Sequence, residues 1–202
     1  SAIDWVWLGD AAEGLPPAPS SYADLGALQA LLAQGDRAPA LVALACVAPA
    51  PASEETVSAA HRATHHVLGV LQGVLGDDRL AHSRVVVVTR RAVATHSGED
   101  VLDLARAPLW GLVRAAQSEH PGRFGLIDLC GNNLSTAMVS VAFGVDEPQL
   151  VVRDGQVLAA RLGRVANEPA EVRWEGKVLV TGGTGGLGAV VARHLVEKHG
   201  VR

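Results

Sequence analysis

The chain has 202 residues, 49% of them hydrophobic and 19% charged, so it can bury a core and is not disordered by composition. Its formal net charge is -4 and its 17 lysines and arginines are dispersed, which argues against nucleic acid or an anionic membrane as partner. Cys46 and Cys130 belong to no Cys-x-x-Cys pair and no apolar run is long enough to span a bilayer, so we expect reduced core cysteines and a cytoplasmic protein.

The first part of the chain predicts an apolar stretch, a linker and a helix. The apolar stretch covers residues 3–8, and a Pro-rich linker covers residues 14–19. Ser21, with Asp24 three residues later, predicts a capped helix start. The leucines that follow form an apolar stripe, which Gly35 can end.

From residue 40 onward, runs of strand length alternate with helical patterns. The strand-length runs are continuously apolar, which is typical of a sheet covered on both faces. The alternation predicts parallel βαβ units. The predicted strands are residues 40–47, 84–89 and 124–129, and the predicted helices are residues 54–75, capped by Ser53, and 103–118, entered near Pro108.

An antiparallel hairpin and a boundary are predicted next. Asp154 and Gly155 separate the extended runs 149–153 and 156–159, a pattern that favours a type I′ turn. Residues 163–176 are polar, contain a proline and lack periodicity, which predicts a subdomain boundary. The predicted organisation is a first subdomain over residues 1–165, a linker over 166–176 and the incomplete start of a second subdomain over 177–202.

A glycine-rich loop carries the clearest functional signal. A short apolar strand is predicted at residues 177–180 and an amphipathic helix ends near His199, so the loop lies in a β-loop-α unit. Glycines there permit a tight turn and let the backbone approach a pyrophosphate at the helix N-terminus. A glycine turn without a ligand is the alternative. The loop contains both G-x-G-x-x-G and the T-G-x-x-x-G-x-G pattern that resembles short-chain dehydrogenases, and the predicted cofactor-binding residues are Thr181, Gly182, Gly183, Thr184, Gly185, Gly186, Leu187 and Gly188.

The catalytic residues of short-chain dehydrogenases are not identifiable in this sequence. That class uses a Tyr-x-x-x-Lys pair with a serine, in which the tyrosine donates a proton to the carbonyl oxygen. The single tyrosine is Tyr22, and the two lysines, Lys177 and Lys198, lie more than a hundred residues away. We therefore assign no catalytic residue, and we expect the natural polypeptide to continue beyond Arg202.

One longer block resembles a known family. Residues 110–129, WGLVRAAQSEHPGRFGLIDL, are similar to the structural subdomain of ketoreductases in modular type I polyketide synthases, and residues 85–89, 151–161 and 178–188 resemble it in the same order. The resemblance implies a truncated Rossmann-like subdomain without cofactor, followed by the first β-α unit of an NADP-binding Rossmann fold.

The resemblance also implies an activity. NADPH would reduce the β-keto group of a chain tethered through phosphopantetheine to an acyl carrier protein, with catalytic Ser, Tyr, Lys and Asn outside these residues. Neighbouring synthase domains, such as an enoylreductase or a dehydratase, would be partners, although no enoylreductase is inserted at residues 163–176. Thr184 is expected to contact the cofactor through its backbone N–H or its hydroxyl. The alternatives are a non-catalytic structural or docking module and another extended short-chain dehydrogenase, such as a nucleotide-sugar epimerase.

Three other patterns suggest sites less strongly. His61 and His65 have i, i+4 spacing but lack the further ligands of a metal site, so a solvated helix face is favoured. The Ser-Glu-His run at residues 118–120 lacks the G-x-S-x-G elbow of a hydrolase, which favours a helix end and turn. Arg90 and Arg91 could mimic a phosphate site, but no glycine loop follows that strand, so a degenerate Rossmann unit without cofactor is favoured.

Overall fold

The computed structural model describes residues 4–9, 15–18, 20–47, 53–131, 135–164, 174 and 176–202. The chain divides into two units, Ser1–Arg161 and Leu162–Arg202. The first unit contains strands β1 (Trp5–Leu8), β2 (Ser21–Tyr22), β3 (Leu41–Cys46), β4 (Arg84–Arg90), β5 (Phe124–Leu129), β6 (Gln149–Arg153) and β7 (Gln156–Ala159), and helices α1 (Leu25–Leu32), α2 (Thr56–Leu75), α3 (Ala107–Glu119) and α4 (Thr136–Gly144). The second unit contains helix α5 (Gly186–His199).

The seven strands form one sheet in the order β2-β1-β3-β4-β5-β6-β7. Strands β1 to β6 pair in parallel, and β7 pairs antiparallel with β6. Leu44 of β3 lies opposite Val87 of β4, which lies opposite Leu126 of β5. The predicted parallel βαβ arrangement and mixed α/β fold are confirmed.

Apolar side chains cover both faces of this sheet. Successive residues of a strand point to opposite faces, so Val85 and Val87 join one core while Val86 and Val88 join the other. The first core also contains the apolar faces of α1, α2 and α3. Each central strand is buried on both faces, which explains why its sequence is continuously apolar. The strands predicted at residues 40–47 and 84–89 are β3 and β4.

The opposite face is covered in part by α4 and by two tryptophans of β1. The ring of Phe143 lies edge-on to Trp5, with 5.0 Å between centroids, and Trp5 lies edge-on to Trp7 at 5.2 Å. The indole N–H of Trp7 donates to the carbonyl of Pro16 at 2.9 Å, so the buried polar group is satisfied. These rings anchor α4 and the segment around Pro16 onto the sheet.

Most predicted elements agree with the structure, but two helix caps differ. The residues predicted as strand 124–129 form β5, and the helix expected at 103–118 begins only at Ala107, with Pro108 in its first turn. The cap of α1 is Asp24, whose Oδ1 accepts the N–H of Ala27 at 2.8 Å, because Ser21 belongs to strand β2. The residue capping α2 is Glu55 and not Ser53, and it makes no side-chain cap bond.

One helix of the structure was not predicted from the sequence, and one predicted strand is absent from the described residues. Helix α4 was missed because its residues are apolar all around and give no stripe, although Ser135 caps it by accepting the N–H of Met138 at 3.2 Å. Residues 177–180 form no strand, because a strand needs a neighbouring strand to pair with. Among the described residues, their main chain bonds only through Val178 N–H to the Arg202 carbonyl and through the Val180 carbonyl to the N–H of Gly183. Within the linker predicted at 14–19, the described residues 15–18 form no helix or strand, whereas most of the segment 163–176 lies outside the described residues.

The hairpin between β6 and β7 is as predicted. Asp154 and Gly155 have φ values of 48° and 77°, which is the left-handed backbone that a type I′ turn requires at both central positions. The register places Arg153 opposite Gln156, so the turn has two residues. This hairpin positions the side chain of Arg153 at the carboxyl end of the parallel strands.

Candidate cofactor loop

The glycine loop forms a tight turn that leads directly into α5. Gly182 has a φ of +70°, a conformation that favours glycine, and its carbonyl accepts the N–H of Gly185 at 3.0 Å. The N–H of Gly183 donates to the carbonyl of Val180 at 3.3 Å. Gly185 caps the helix, and its carbonyl accepts the N–H of Ala189 at 2.9 Å. All eight predicted cofactor-binding residues therefore lie in one continuous turn and first helical turn.

The position of Gly188 requires glycine for a steric reason. A Cβ built on Gly188 would lie 2.1 Å from the carbonyl oxygen of Gly182 and 2.7 Å from the Cα of Gly183. Both are backbone atoms, which cannot yield as a flexible side chain can. The first turn of α5 can thus pack against the loop only because residue 188 has no side chain. By contrast, a Cβ on Gly186 would meet no atom within 4 Å.

The loop presents backbone donors for which the described part of the chain offers no acceptor. Among the residues described, no hydrogen-bond acceptor lies opposite the N–H groups of Thr184, Gly186, Leu187 and Gly188. The first turn of α5 carries no acidic residue, and Lys198 and His199 lie in the last turn. No side chain of the first turn of α5 therefore offsets the partial positive charge at the helix N-terminus, which suits an anion. These N–H donors, and the lack of side chains at the glycines of the loop, fit the pyrophosphate of a dinucleotide.

The apolar residues around this loop are largely exposed. Leu179 is 91% exposed and Leu187 is 85% exposed. No residue of α5 is buried. Within its unit, Trp174 lies edge-on to His199, with 6.3 Å between ring centroids. A complete dinucleotide-binding fold buries such residues in further βα layers.

A buried polar network lies at the carboxyl ends of β4 and β5 in the first unit. Asp128 is fully buried, and its Oδ1 accepts the hydroxyl of Thr89 at 2.6 Å and the N–H of Ala92 at 2.9 Å. Its Oδ2 accepts from Nη2 of Arg153 at 2.7 Å. The indole N–H of Trp110 donates to the Thr89 hydroxyl at 3.1 Å, which ties α3 to the network.

Glu99 completes the network around Arg153. The Nε of Arg153 donates to Oε1 of Glu99 at 2.5 Å, while Thr95 donates to Oε2 through both its N–H and its hydroxyl. Burial alone would raise the pKa of Glu99, but these hydrogen bonds from Thr95 and Arg153 lower it to about 2. Glu99 is therefore ionised at neutral pH and offsets part of the Arg153 charge.

Sequence reasoning did not find this network, although a signal existed. Asp128 is the one charged residue in an otherwise apolar strand, and Arg153 directly precedes the turn residues. A charge in a buried strand needs a partner, which local patterns do not identify. The hydrolase alternative fails on geometry, because Asp128 bonds to Thr89, Ala92 and Arg153, whereas the Ser118 hydroxyl donates to the carbonyl of Arg114.

The other residues singled out by sequence have simpler surroundings. His61 and His65 are exposed on α2. The described residues contain no group of three or more His, Cys, Asp and Glu side chains that could hold a metal ion. Cys46 and Cys130 are free thiols, and burial raises the pKa of Cys46 to about 12. No helix in the described part of the chain is both long and apolar enough to cross a membrane.

Comparison with known proteins identifies relatives along the whole chain. Residues 3–162 match the family described as the Rossmann fold domain of the polyketide synthase extender module SpnB. The chain is 43% identical over 203 residues to the spectinabilin polyketide synthase system protein NorA of Streptomyces orinoci, covering 98% of this chain and 11% of that protein. It is 42% identical over 210 residues to the polyketide synthase GfsB of Streptomyces halstedii, covering 100% of this chain and 4% of that protein.

Solved structures support the same relationship. A C2-type ketoreductase from a modular polyketide synthase superposes with a TM-score of 0.67 and 25% identity, covering 96% of this chain and 48% of that one. The ketoreductase from the first module of phoslactomycin biosynthesis in Streptomyces sp. HK803 gives a TM-score of 0.58 and 28% identity, covering 97% and 42%. The chain thus spans about half of these ketoreductases and about a tenth or less of the two synthases. It belongs to the Rossmann-fold domain family of polyketide synthase extender modules, within the ketoreductases of modular polyketide synthases.

Proposed function

We propose that this chain supplies the scaffold and the glycine-rich cofactor loop of a ketoreductase that uses NADPH. The reaction would convert the β-keto group of an intermediate on an acyl carrier protein to a β-hydroxy group. The observation that carries the proposal is the turn at residues 181–188. Its backbone donors without an acceptor among the described residues, and its glycines, which have no side chain, together fit a pyrophosphate. The choice of NADPH, and of a carrier-bound substrate, follows from the similarity to ketoreductases.

Each part of the loop has a proposed role. The turn at Gly182 aims the loop at the start of α5, and Gly188 lets the two approach closely. The N–H groups of Thr184, Gly186 and Leu187 would donate to the pyrophosphate oxygens, and the hydroxyl of Thr184 could add a further donor. When bound, NADPH would supply a hydride to the β-carbonyl carbon.

The first unit would act as a brace. Its sheet is buried on both faces, and its polar network links the carboxyl ends of β4 and β5. The catalytic Ser, Tyr, Lys and Asn would lie outside these 202 residues. The acyl carrier protein and neighbouring synthase domains, such as an enoylreductase or a dehydratase, would be partners, and the synthase would work in the cytoplasm. The organisation proposed is a structural subdomain over 1–165, a linker over 166–176 and the start of the NADPH-binding subdomain over 177–202.

The test is NADPH binding by the ketoreductase that contains this segment, measured by quenching of protein fluorescence. Gly188→Ala should weaken binding at least about 10-fold, because its Cβ would overlap the backbone of Gly182 and distort the loop. Gly186→Asp should abolish binding, because it places a negative charge where the pyrophosphate is expected. The loss should appear in binding and in the rate of ketone reduction.

A matched control uses a helical glycine of the first unit. Gly111 lies exposed in α3, where an added Cβ meets no atom within 4 Å, so Gly111→Ala should bind NADPH like the parent protein. Undiminished binding in both Gly188→Ala and Gly186→Asp would overturn the proposal. Intact NADPH binding without any ketone reduction would instead favour the alternative of a module that does not reduce.

A further inference from the structure

A second candidate site lies within the first unit. A cleft of about 480 Å³ opens at the carboxyl ends of β3 and β4 and is lined by Val47, Arg90, Arg91, the start of α2 and the loop at residues 102–106. In parallel α/β sheets, ligands bind outside the carboxyl ends of the strands. The buried network around Asp128 joins the ends of β4 and β5, whereas the cleft is lined by residues at the ends of β3 and β4.

Two arginines in the cleft have donors to spare. The Arg106 side chain is only 11% exposed, yet among the described residues its guanidinium makes a single hydrogen bond, to Oδ1 of Asp103 at the long distance of 3.5 Å. The Nε of Arg91 is buried and, within the described part of the chain, has no acceptor. A guanidinium carries five donors, and leaving buried ones unmet costs free energy. The two side chains therefore suit an anionic acceptor.

The backbone holds Arg91 in an uncommon conformation. Its φ is 52°, in the left-handed region that non-glycine residues seldom adopt. Its N–H donates to the carbonyl of Leu129 at 3.0 Å, and its own carbonyl accepts the N–H groups of Leu102 at 3.0 Å and Asp103 at 3.1 Å. These bonds tie the loop at residues 102–106 to the end of β4, so both arginines are held at one cleft.

The acidic side chains of the cleft are already paired. Glu54 forms an ion pair with Arg62, and the hydrogen bond from that arginine lowers the pKa of Glu54. Asp103 is paired with Arg106. Arg90 and Arg91 also line the cleft, and Arg91 has no carboxylate partner among the described residues. The balance of charge in the cleft is therefore positive.

The rim of the cleft is apolar. Leu102 and Leu104 are 61% and 60% exposed, so this loop leaves apolar surface in water whose burial would be favourable. We propose that this cleft binds the phosphate group of an organic phosphate, with Arg91 and Arg106 donating to the phosphate oxygens and the two leucines contacting the attached organic group. A nucleotide and a phosphopantetheine arm both carry this chemistry.

The test is a titration of the 202-residue chain followed by two-dimensional amide NMR, with AMP, pantetheine 4′-phosphate and inorganic phosphate as separate probes. We expect the amide signals of Arg91, Leu102 and Arg106 to shift saturably with at least one organic phosphate. Arg91→Gln and Arg106→Gln should each weaken this binding about 10-fold or more, because each removes a charged donor. Tighter binding of AMP would indicate a nucleotide, and tighter binding of pantetheine 4′-phosphate a carrier arm.

The readout separates this site from the glycine loop. Binding of phosphate at α5 would shift Leu187 and Gly188, and Gly186→Asp should remove those shifts while leaving the cleft signals unchanged. Arg37→Gln is the matched control, since Arg37 is exposed and precedes β3 at the opposite end of that strand. The proposal is overturned if no probe shifts Arg91 and Arg106 at millimolar concentration, or if both arginine variants bind like Arg37→Gln.

Discussion

Asp128 and Arg153 form an ion pair whose two side chains are 0% and 9% exposed. Such a pair is stable only if the remaining donors and acceptors are also satisfied. The hydroxyl of Thr89 and the N–H of Ala92 donate to the carboxylate of Asp128. Glu99 and the carbonyl of Val93 accept hydrogen bonds from the guanidinium of Arg153. The network links β4, β5, β6 and the loop after β4.

Removing one member of this pair should destabilise the first unit strongly. Asp128→Ala leaves the Arg153 charge buried with only Glu99 opposite, and we expect the free energy of unfolding to fall by about 3 kcal/mol. Urea unfolding followed by circular dichroism measures it. Glu147→Ala is the control, because its partner Arg161 is 66% exposed and the change should stay within about 1 kcal/mol. Equal effects of the two substitutions would contradict the buried pair.

At the scale of elements, the turn between β6 and β7 sets how these two strands pair. Asp154 and Gly155 both have positive φ, so the two-residue turn matches the twist of the strands it joins. A shift of one residue in this register would turn the side chains of β7 to the opposite face of the sheet, while Arg153 is held on its face by the pairing of β6 with β5. The turn residues thus fix which side chains of β7 face which side of the sheet.

Two glycine substitutions should change stability in opposite directions. Gly155→Ala forces a side chain into a φ of +77° and should lower the free energy of unfolding by about 1 kcal/mol. Gly111→Ala, in the exposed interior of α3 with no atom within 4 Å of the new Cβ, should raise it by about 0.5–1 kcal/mol. Urea midpoints of the two variants measure both effects. A stabilising Gly155→Ala would show that the turn is not type I′.

At the scale of the whole molecule, the two units differ in how much they bury. The first unit has apolar cores on both faces of its sheet, whereas α5 in the second has no buried residue. Backbone hydrogen bonds are protected from solvent by packed neighbours, so elements without them open easily.

Hydrogen exchange should therefore separate the two units. In the 202-residue chain, amides of α5 should exchange at least about 100-fold faster than those of β4 and β5, because local opening of α5 exposes little new apolar surface. Mass spectrometry of peptic fragments measures this, with α2, a long helix with one buried face, as the internal control. Protection of α5 equal to that of α2 would contradict the expectation.

The amino-acid sequence alone was sufficient for β3, β4, β5, the hairpin and the glycine loop, because each depends on a local signal. Apolar runs, the Asp154-Gly155 pair and glycine spacing act within a few residues. Tertiary structure alone decided the pairing of Asp128 with Arg153 and the placement of Arg91 and Arg106 at one cleft. Those features depend on residues far apart in the chain, such as Thr89 and Asp128, whose proximity follows from sheet order and register and not from any local pattern.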